Sequence, residues 1–222
     1  MAWTDPVRYP NSAEIADNEA FLNTNVIDNL VYLKANAAPF SVFTNEAARD
    51  AAITSPTEGM IAYLTASTVA AATGQTTAVP TGIQTIYNGS VWVCVTPVGA
   101  GSNTNATTTS TSFVTTLTGD ATAISATLVT GTTVRIDLTI RGVNNNNYIY
   151  GEPSVSGATT IAASDADCLI HYWFGTAAGI TFSKSYILTG LTAGTNTFTF
   201  NYKTNAGTAS FESRNLIVTG IA

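Results

Sequence analysis

Among these 222 residues, His171 is the only histidine, so no pair of imidazoles can form within one chain. It falls in the strand-like run Leu169-Ile-His-Tyr-Trp-Phe174, and no Gly-x-Ser-x-Gly turn supplies a nucleophile for it to activate. A structural or solvent-facing His171 is therefore expected. Asp165 and Asp167, beside Ser164, form an acidic turn whose oxygens suit calcium. That ion takes about six to eight oxygen ligands, and two carboxylates alone fall short. A solvated turn is the simpler reading. Asp137 and Glu152 are the residue types of a glycosidase acid pair, but one isolated carboxylate on each of two strands is ordinary. Cys94 and Cys168 sit in apolar runs (Val-Trp-Val-Cys-Val and Cys-Leu-Ile) and read as small buried hydrophobes. No histidine or second cysteine stands at metal-ligand spacing from either. A disulfide joining them would have to bridge two separate domains. The expectation is a non-enzyme with no metal and no cofactor.

Recognition has a better candidate in Asn144-Asn145-Asn146-Asn147-Tyr148-Ile-Tyr150. Four amides beside two aromatic rings offer hydrogen-bonding groups and stacking faces, the mixture that sugar binding uses. The other reading of the same residues is a polar hairpin tip at one end of a β-sandwich.

Composition narrows the class of protein that must hold these groups. Charged residues make up 10% of the chain, against roughly 25% in ordinary globular proteins. Thr, Ser, Asn, Ala and Gly fill the gap, a mixture suited to strands and turns. The net charge of −6 and the scatter of eight basic residues argue against a nucleic-acid partner, which needs clustered Lys and Arg. No apolar stretch approaches the roughly 20 residues of a membrane helix, so no membrane insertion is expected. Met1-Ala-Trp-Thr-Asp-Pro6 lacks the pattern of an export signal. The chain is expected to be made in a cytoplasm and to leave it as part of a particle.

Four segments emerge from the patterning. In residues 1–40, Ile15, Leu22, Val26, Leu30 and Leu33 recur on one face of a helix, capped by Asn11 or Asp17. Phe21, Ile27, Val31 and Tyr32 carry apolar character around the rest of it, more than a single-stripe surface helix needs. This helix either half-buries against its own small domain or also packs on neighbouring subunits. Residues 41–98 read as a small α+β module: a helix over Asn45–Ile53, a strand over Glu58–Leu64 and a hairpin turning at Asn88-Gly89. The Thr/Ala-rich stretch 66–80 reads as an irregular loop. Residues 99–111, rich in Gly, Asn and Thr, read as a flexible linker. Residues 112–222 alternate with period two between regular turn signals, the mark of an antiparallel β-sandwich. Its clearest strands are 134–140, 197–202 and 215–219, with others at 113–118, 124–129, 148–155, 169–174 and 180–188. The fold class is therefore mainly β: an N-terminal helix and small α+β module, then a sandwich whose strand number suits a jelly roll.

Three sets of residues resemble tailed-bacteriophage virion proteins. Ile15, Leu22-Asn23, Asp28-Asn29-Leu30 and Leu33-Lys34 are similar to their N-terminal segment. Ala48-Arg49-Asp50, Pro56, Glu58-Gly59-Met60 and Tyr87-Asn88-Gly89-Ser90-Val91-Trp92 resemble a small module of phage tail and fibre proteins. Leu188-Thr-Gly-Leu191-Thr-Ala-Gly194-Thr-Asn-Thr-Phe198, with Tyr202, Gly207-Thr208 and Asn215-Leu-Ile-Val218, resembles the closing strands of phage sandwiches related to the C1q and tumour-necrosis-factor jelly rolls. The resemblance implies a homotrimeric virion protein of tail-tip or fibre type. Residues 1–40 would dock on other virion proteins, and the outer loops would meet a host surface glycan or protein. A capsid decoration or head-fibre protein is the alternative. A soluble carbohydrate-binding module or adhesin is the competing class.

Replacing Leu22 and Val26 together by Asp puts two charges on the helix face meant for burial, where an unpaired charge is strongly unfavourable. The sandwich is expected to stay folded by circular dichroism while the protein disappears from purified particles. Normal copy number of the variant in particles would rule out the helix as the anchor.

Overall fold

In the computed structural model, the described residues are 41–67, 82–144, 147–172 and 179–221. The expected anchor helix, with Ile15, Leu22, Val26, Leu30 and Leu33, lies outside them, as do Asn145, Asn146 and most of the 66–80 stretch. Residues 1–39 and 40–222 are separate units. The second unit is mainly β.

Its first elements are β1 (Ser41–Phe43), α1 (Glu46–Ala52), β2 (Ile61–Leu64), β3 (Ile83–Tyr87) and β4 (Trp92–Cys94). The four strands form a sheet in the order β1-β2-β3-β4, with β1 parallel to β2 and the other pairs antiparallel. Asn45 caps α1, its side-chain oxygen accepting from the Ala48 N–H at 2.9 Å. Arg49 then turns inward, donates to Thr85 Oγ1 at 3.4 Å and lies 4.6 Å from the Trp92 ring centroid. One short helix is thus fixed to the sheet by a cation over an aromatic face. The Asn88-Gly89 turn forms as expected, with Gly89 at φ +86° and the Asn88 side-chain oxygen accepting from the N–H groups of Ser90 and Val91.

The remaining strands are β5 (Val98–Ser102), β6 (Ala106–Thr108), β7 (Ser125–Thr130), β8 (Thr133–Val143), β9 (Tyr148–Gly157), β10 (Leu169–Tyr172), β11 (Ile180–Thr189), β12 (Gly194–Thr204) and β13 (Ala209–Ile221). They build two antiparallel sheets, β11-β8-β13-β5 and β10-β9-β12-β7, with β6 also pairing with β13. The inward residues of β8 (Val134, Ile136, Leu138, Ile140) and of β12 (Phe198, Phe200, Tyr202) share one core. The sheets approach closely at Gly151, where an added Cβ would come within 2.5 Å of Ile140 Cδ1 and 2.8 Å of Phe200 Cε2.

Three expectations are corrected. Residues 99–111 are no flexible linker, because most of β5 and all of β6 lie within them and pair with β13. Val98, Ala100 and Ala106 are buried, so the small residues that mimic linker composition are fitted to the core. The same core continues through Leu64, Ile83 and Cys94, so 41–98 and 112–222 do not separate into two compact units. Residues 113–118 make isolated bridges, Val114 to Tyr202, Leu117 to Asp120 and Thr118 to Thr107, rather than a strand. The chain there crosses the sandwich instead of running along an edge.

The hydroxyl-rich composition has a structural use. Thr127 and Thr197, in register on β7 and β12, share a 2.9 Å hydrogen bond, and Ser125 and Thr199 repeat it at 3.0 Å. Buried Asn196 donates to Thr130 Oγ1 at 2.8 Å and to the Thr192 carbonyl at 3.0 Å, and accepts from the Thr159 N–H at 2.8 Å. The most demanding buried group is Arg214, 1% exposed, in the middle of β13. Its Nη2 donates to Asp120 Oδ2 at 2.6 Å and to the Thr104 carbonyl at 3.0 Å. Ser102 Oγ donates to the same carboxylate oxygen at 2.6 Å.

Asp120→Ala leaves that guanidinium buried without its counter-charge, and a loss of about 3–5 kcal/mol is expected by urea unfolding. The Ser102 hydroxyl, the Thr122 N–H and Arg214 together lower the Asp120 pKa from 3.8 to about 2. A depressed acid stabilises the fold above its unfolded pKa and loses that contribution as pH falls through the folded one. Wild type should therefore lose stability relative to Asp120→Ala between roughly pH 4 and 2. An Asp120→Ala variant as stable as wild type at neutral pH would contradict this account.

Candidate functional site

The residues singled out for recognition divide sharply. Asn144 is 2% exposed, and its amide donates to Thr204 Oγ1 at 2.6 Å, the Ala206 carbonyl at 3.1 Å and the Tyr148 carbonyl at 3.3 Å. It closes the ends of β9 and β12 and is not displayed, which corrects the expectation for that position. A buried amide satisfies carbonyls that the turn would otherwise strand. The Asn147 N–H donates to the Asn144 carbonyl at 3.3 Å, and the Tyr148 N–H donates to Asn205 Oδ1 at 2.7 Å.

Tyr148 and Tyr150 belong to strand β9 rather than to a loop. Ile149 and Leu169 point into the core, so their neighbours Tyr148, Tyr150 and Ile170 leave the sheet on the opposite side. Tyr150 is in register with Ile170, and Tyr148 with Tyr172, which brings all four to one outer face. The Tyr148 and Tyr172 rings meet edge-on at 4.7 Å, and Tyr148 and Tyr150 lie 6.1 Å apart. Ile170 is 48% exposed and Tyr148 37%. Next across the sheet, Lys203 is in register with Tyr150. Its Nζ lies 4.6 Å from the Tyr150 ring and 4.9 Å from the Phe113 ring, and bonds Asp165 Oδ1 at 2.5 Å. Burial raises the Tyr150 phenol pKa, against the pull of Lys203.

The other chemically suggestive residues are dispersed. His171, in register with Ile149, stacks on Phe182 at 5.0 Å. Asp165 is engaged by Lys203, and the Asp167 backbone carbonyl accepts from Lys184 Nζ. Among the described residues, no group of three or more His, Cys, Asp or Glu is placed to hold a metal. Cys94 and Cys168 are buried free thiols, and burial pushes Cys94 up to about 11.

Asp137 and Glu152 are not brought together. Asp137 is in register with Ser185 and bonded by Arg135 at 2.9 Å, whereas Glu152 Oε1 accepts from the Tyr186 hydroxyl at 3.0 Å. Ser185 and Tyr186 are consecutive on β11, so their side chains leave opposite faces of the sheet. The two carboxylates therefore lie on opposite sides of it and cannot flank one glycosidic bond. A cavity of about 80 Å³ is lined by Arg49, Thr85, Trp92 and Leu128, and the Arg49 cation is already engaged by Asp50, Thr85 and the Trp92 ring.

Glu152 is nonetheless unusual. It is buried, Oε2 has no hydrogen-bond partner among the described residues, and desolvation raises its pKa from 4.5 to about 7. The Tyr186 hydroxyl and the Lys184 charge oppose that rise, and Asp167 adds to it. An acid raised on folding contributes stability that is complete below its unfolded pKa and lost as pH climbs through the folded one. Wild type should weaken relative to Glu152→Gln as pH rises from about 4.5 to about 7. Urea midpoints of both proteins across that range test it, and parallel curves would refute it.

No protein-family model matches this sequence, and no curated protein matches it either. Among solved structures, the chain is similar to the enzymatically active domain of tailspike protein 4 from bacteriophage CBA120. The match covers 57% of this chain and 19% of that one, at 13% identity and a TM-score of 0.27.

Proposed function

We propose that this is a non-enzymatic structural protein of a tailed-phage virion, a tail-tip or fibre-type appendage held by residues 1–40. The observation that carries the reading is the strand order. Sheets β5-β13-β8-β11 and β7-β12-β9-β10 take their eight strands from the two halves of the segment in an interleaved order. That order supports a jelly roll, and the motifs resembling C1q and tumour-necrosis-factor domains fall in β11, β12, β13 and the turns that join them. A homotrimer follows from the same resemblance and from a low-charge surface that tolerates close packing.

The N-terminal and middle motifs resemble tail proteins most, which favours the tail over a capsid decoration or head fibre. The outer tyrosine face favours a role in host-surface binding, and it is also what a free carbohydrate-binding module or adhesin would present. Particles decorated with an antibody to residues 112–222 and viewed by electron microscopy should carry label at the tail. Label on the head would select the capsid alternative, and unlabelled particles would remove the virion role. The purified protein should sediment as a trimer at micromolar concentration. A folded monomer would reject the assembly, and hydrolysis of host polysaccharide would reject the non-enzyme reading.

A further inference from the structure

We infer that the outer face of β9 and β10 is a binding platform for an uncharged saccharide, an inference that deepens the host-surface role proposed above. Three tyrosines and an isoleucine stand on one side of two paired strands through the Tyr150–Ile170 and Tyr148–Tyr172 registers. Tyr148 is held edge-on to Tyr172 at 4.7 Å and tilted to Tyr150 at 6.1 Å. Each ring is built on a strand, and the backbone beneath Tyr148 is pinned by the Asn205 side chain and by the internal Asn144 clamp. A face of this kind is preorganised, so little side-chain freedom remains to be lost on binding.

Charge decides the class of occupant. Among the described residues, the cation on this face is Lys203, neutralised by Asp165 at 2.5 Å and lying over both Phe113 and Tyr150, with its side chain 13% exposed. It is therefore withheld from an anionic ligand. What remains is aromatic and aliphatic surface edged by phenol hydroxyls. A neutral sugar ring complements both parts, with an apolar C–H face for the rings and hydroxyls for the phenols. Among the described residues of this face, only Ile170 and Tyr148 are large exposed hydrophobics, fewer than the broad apolar core of a permanent protein interface holds.

The test uses the full chain labelled with 3-fluorotyrosine and titrated with maltohexaose, cellohexaose, chitohexaose and mannohexaose. At least one should shift the fluorine signals of Tyr148, Tyr150 and Tyr172 saturably while leaving that of buried Tyr202 in place. Tyr148→Ala and Tyr172→Ala should each weaken binding roughly tenfold. Tyr148→Phe and Tyr172→Phe, which keep the rings and guard against loss of fold, should retain most of it. Silence of all three signals with every saccharide overturns the inference, as does stronger binding of an anionic sialyl-oligosaccharide. Concentration-dependent shifts without sugar would assign the face to a second copy of the chain instead. Saccharide binding by a protein absent from particles would keep this inference and reject the virion role, whereas tail labelling without binding would do the reverse.

Discussion

Strand β13 is the constraint on which the rest of residues 40–222 depends. It is paired along both edges, with β8 on one side and β5 and β6 on the other. A buried strand must have its N–H and C=O groups satisfied on both sides. For β13, which comes late in the segment, that requirement brings residues 98–108 to one edge and 133–143 to the other. Arg214 adds a side-chain requirement to the backbone one. Its guanidinium is buried and is tolerable only while the Thr104 carbonyl and Asp120, itself held by the Ser102 hydroxyl, accept from it. The stretch from 103 to 124 is thereby tied to the centre of the sandwich.

The same economy appears wherever this low-charge chain buries polarity. Asn144, Asn196 and Asn201 each place an amide between carbonyls and hydroxyls of neighbouring strands. Thr and Ser pairs join β7 to β12 on the outer face. Hydroxyls and amides thus do inside the protein what charge pairs would do less cheaply after desolvation. Glu152 is the exception, a carboxyl whose buried position favours its neutral form. In Asp120 the donors outweigh desolvation and lower the pKa, whereas in Glu152 desolvation outweighs the single Tyr186 donor and raises it.

Function, on this reading, depends on a face rather than on a loop. Tyrosines presented by paired strands hold their relative positions because the strands themselves are in register. A recognition surface of this kind tolerates variation in the turns while keeping ring geometry constant. The nearby ion pair of Lys203 and Asp165 then acts to keep the face neutral as much as to hold β12 against the crossing chain at Phe113.

The sequence by itself determined most of the local structure of the described residues. Period-two alternation located β7 to β12 to within a few residues, and only the second half of β13, because one side of each strand must be apolar wherever it meets the core. The short helix expected over Asn45–Ile53 and the Asn88-Gly89 turn were legible because a helix-forming run and a tight turn are local devices of side chain and backbone. What only the tertiary structure decided was partnership. The glycines, alanine and threonines of 98–108 have the composition of a linker, and they become strands because β13 offers an unpaired edge. Arg214 carried no local signal, since its partners Asp120 and Thr104 lie far away in sequence. Asn144 and Asn147 look alike in a run of four amides, yet Asn144 is buried by contacts from Thr204 at the end of β12 and from Ala206 in the turn that follows it. Ile170 and Tyr172 joined Tyr148 and Tyr150 only through cross-strand register, which no spacing along the chain encodes.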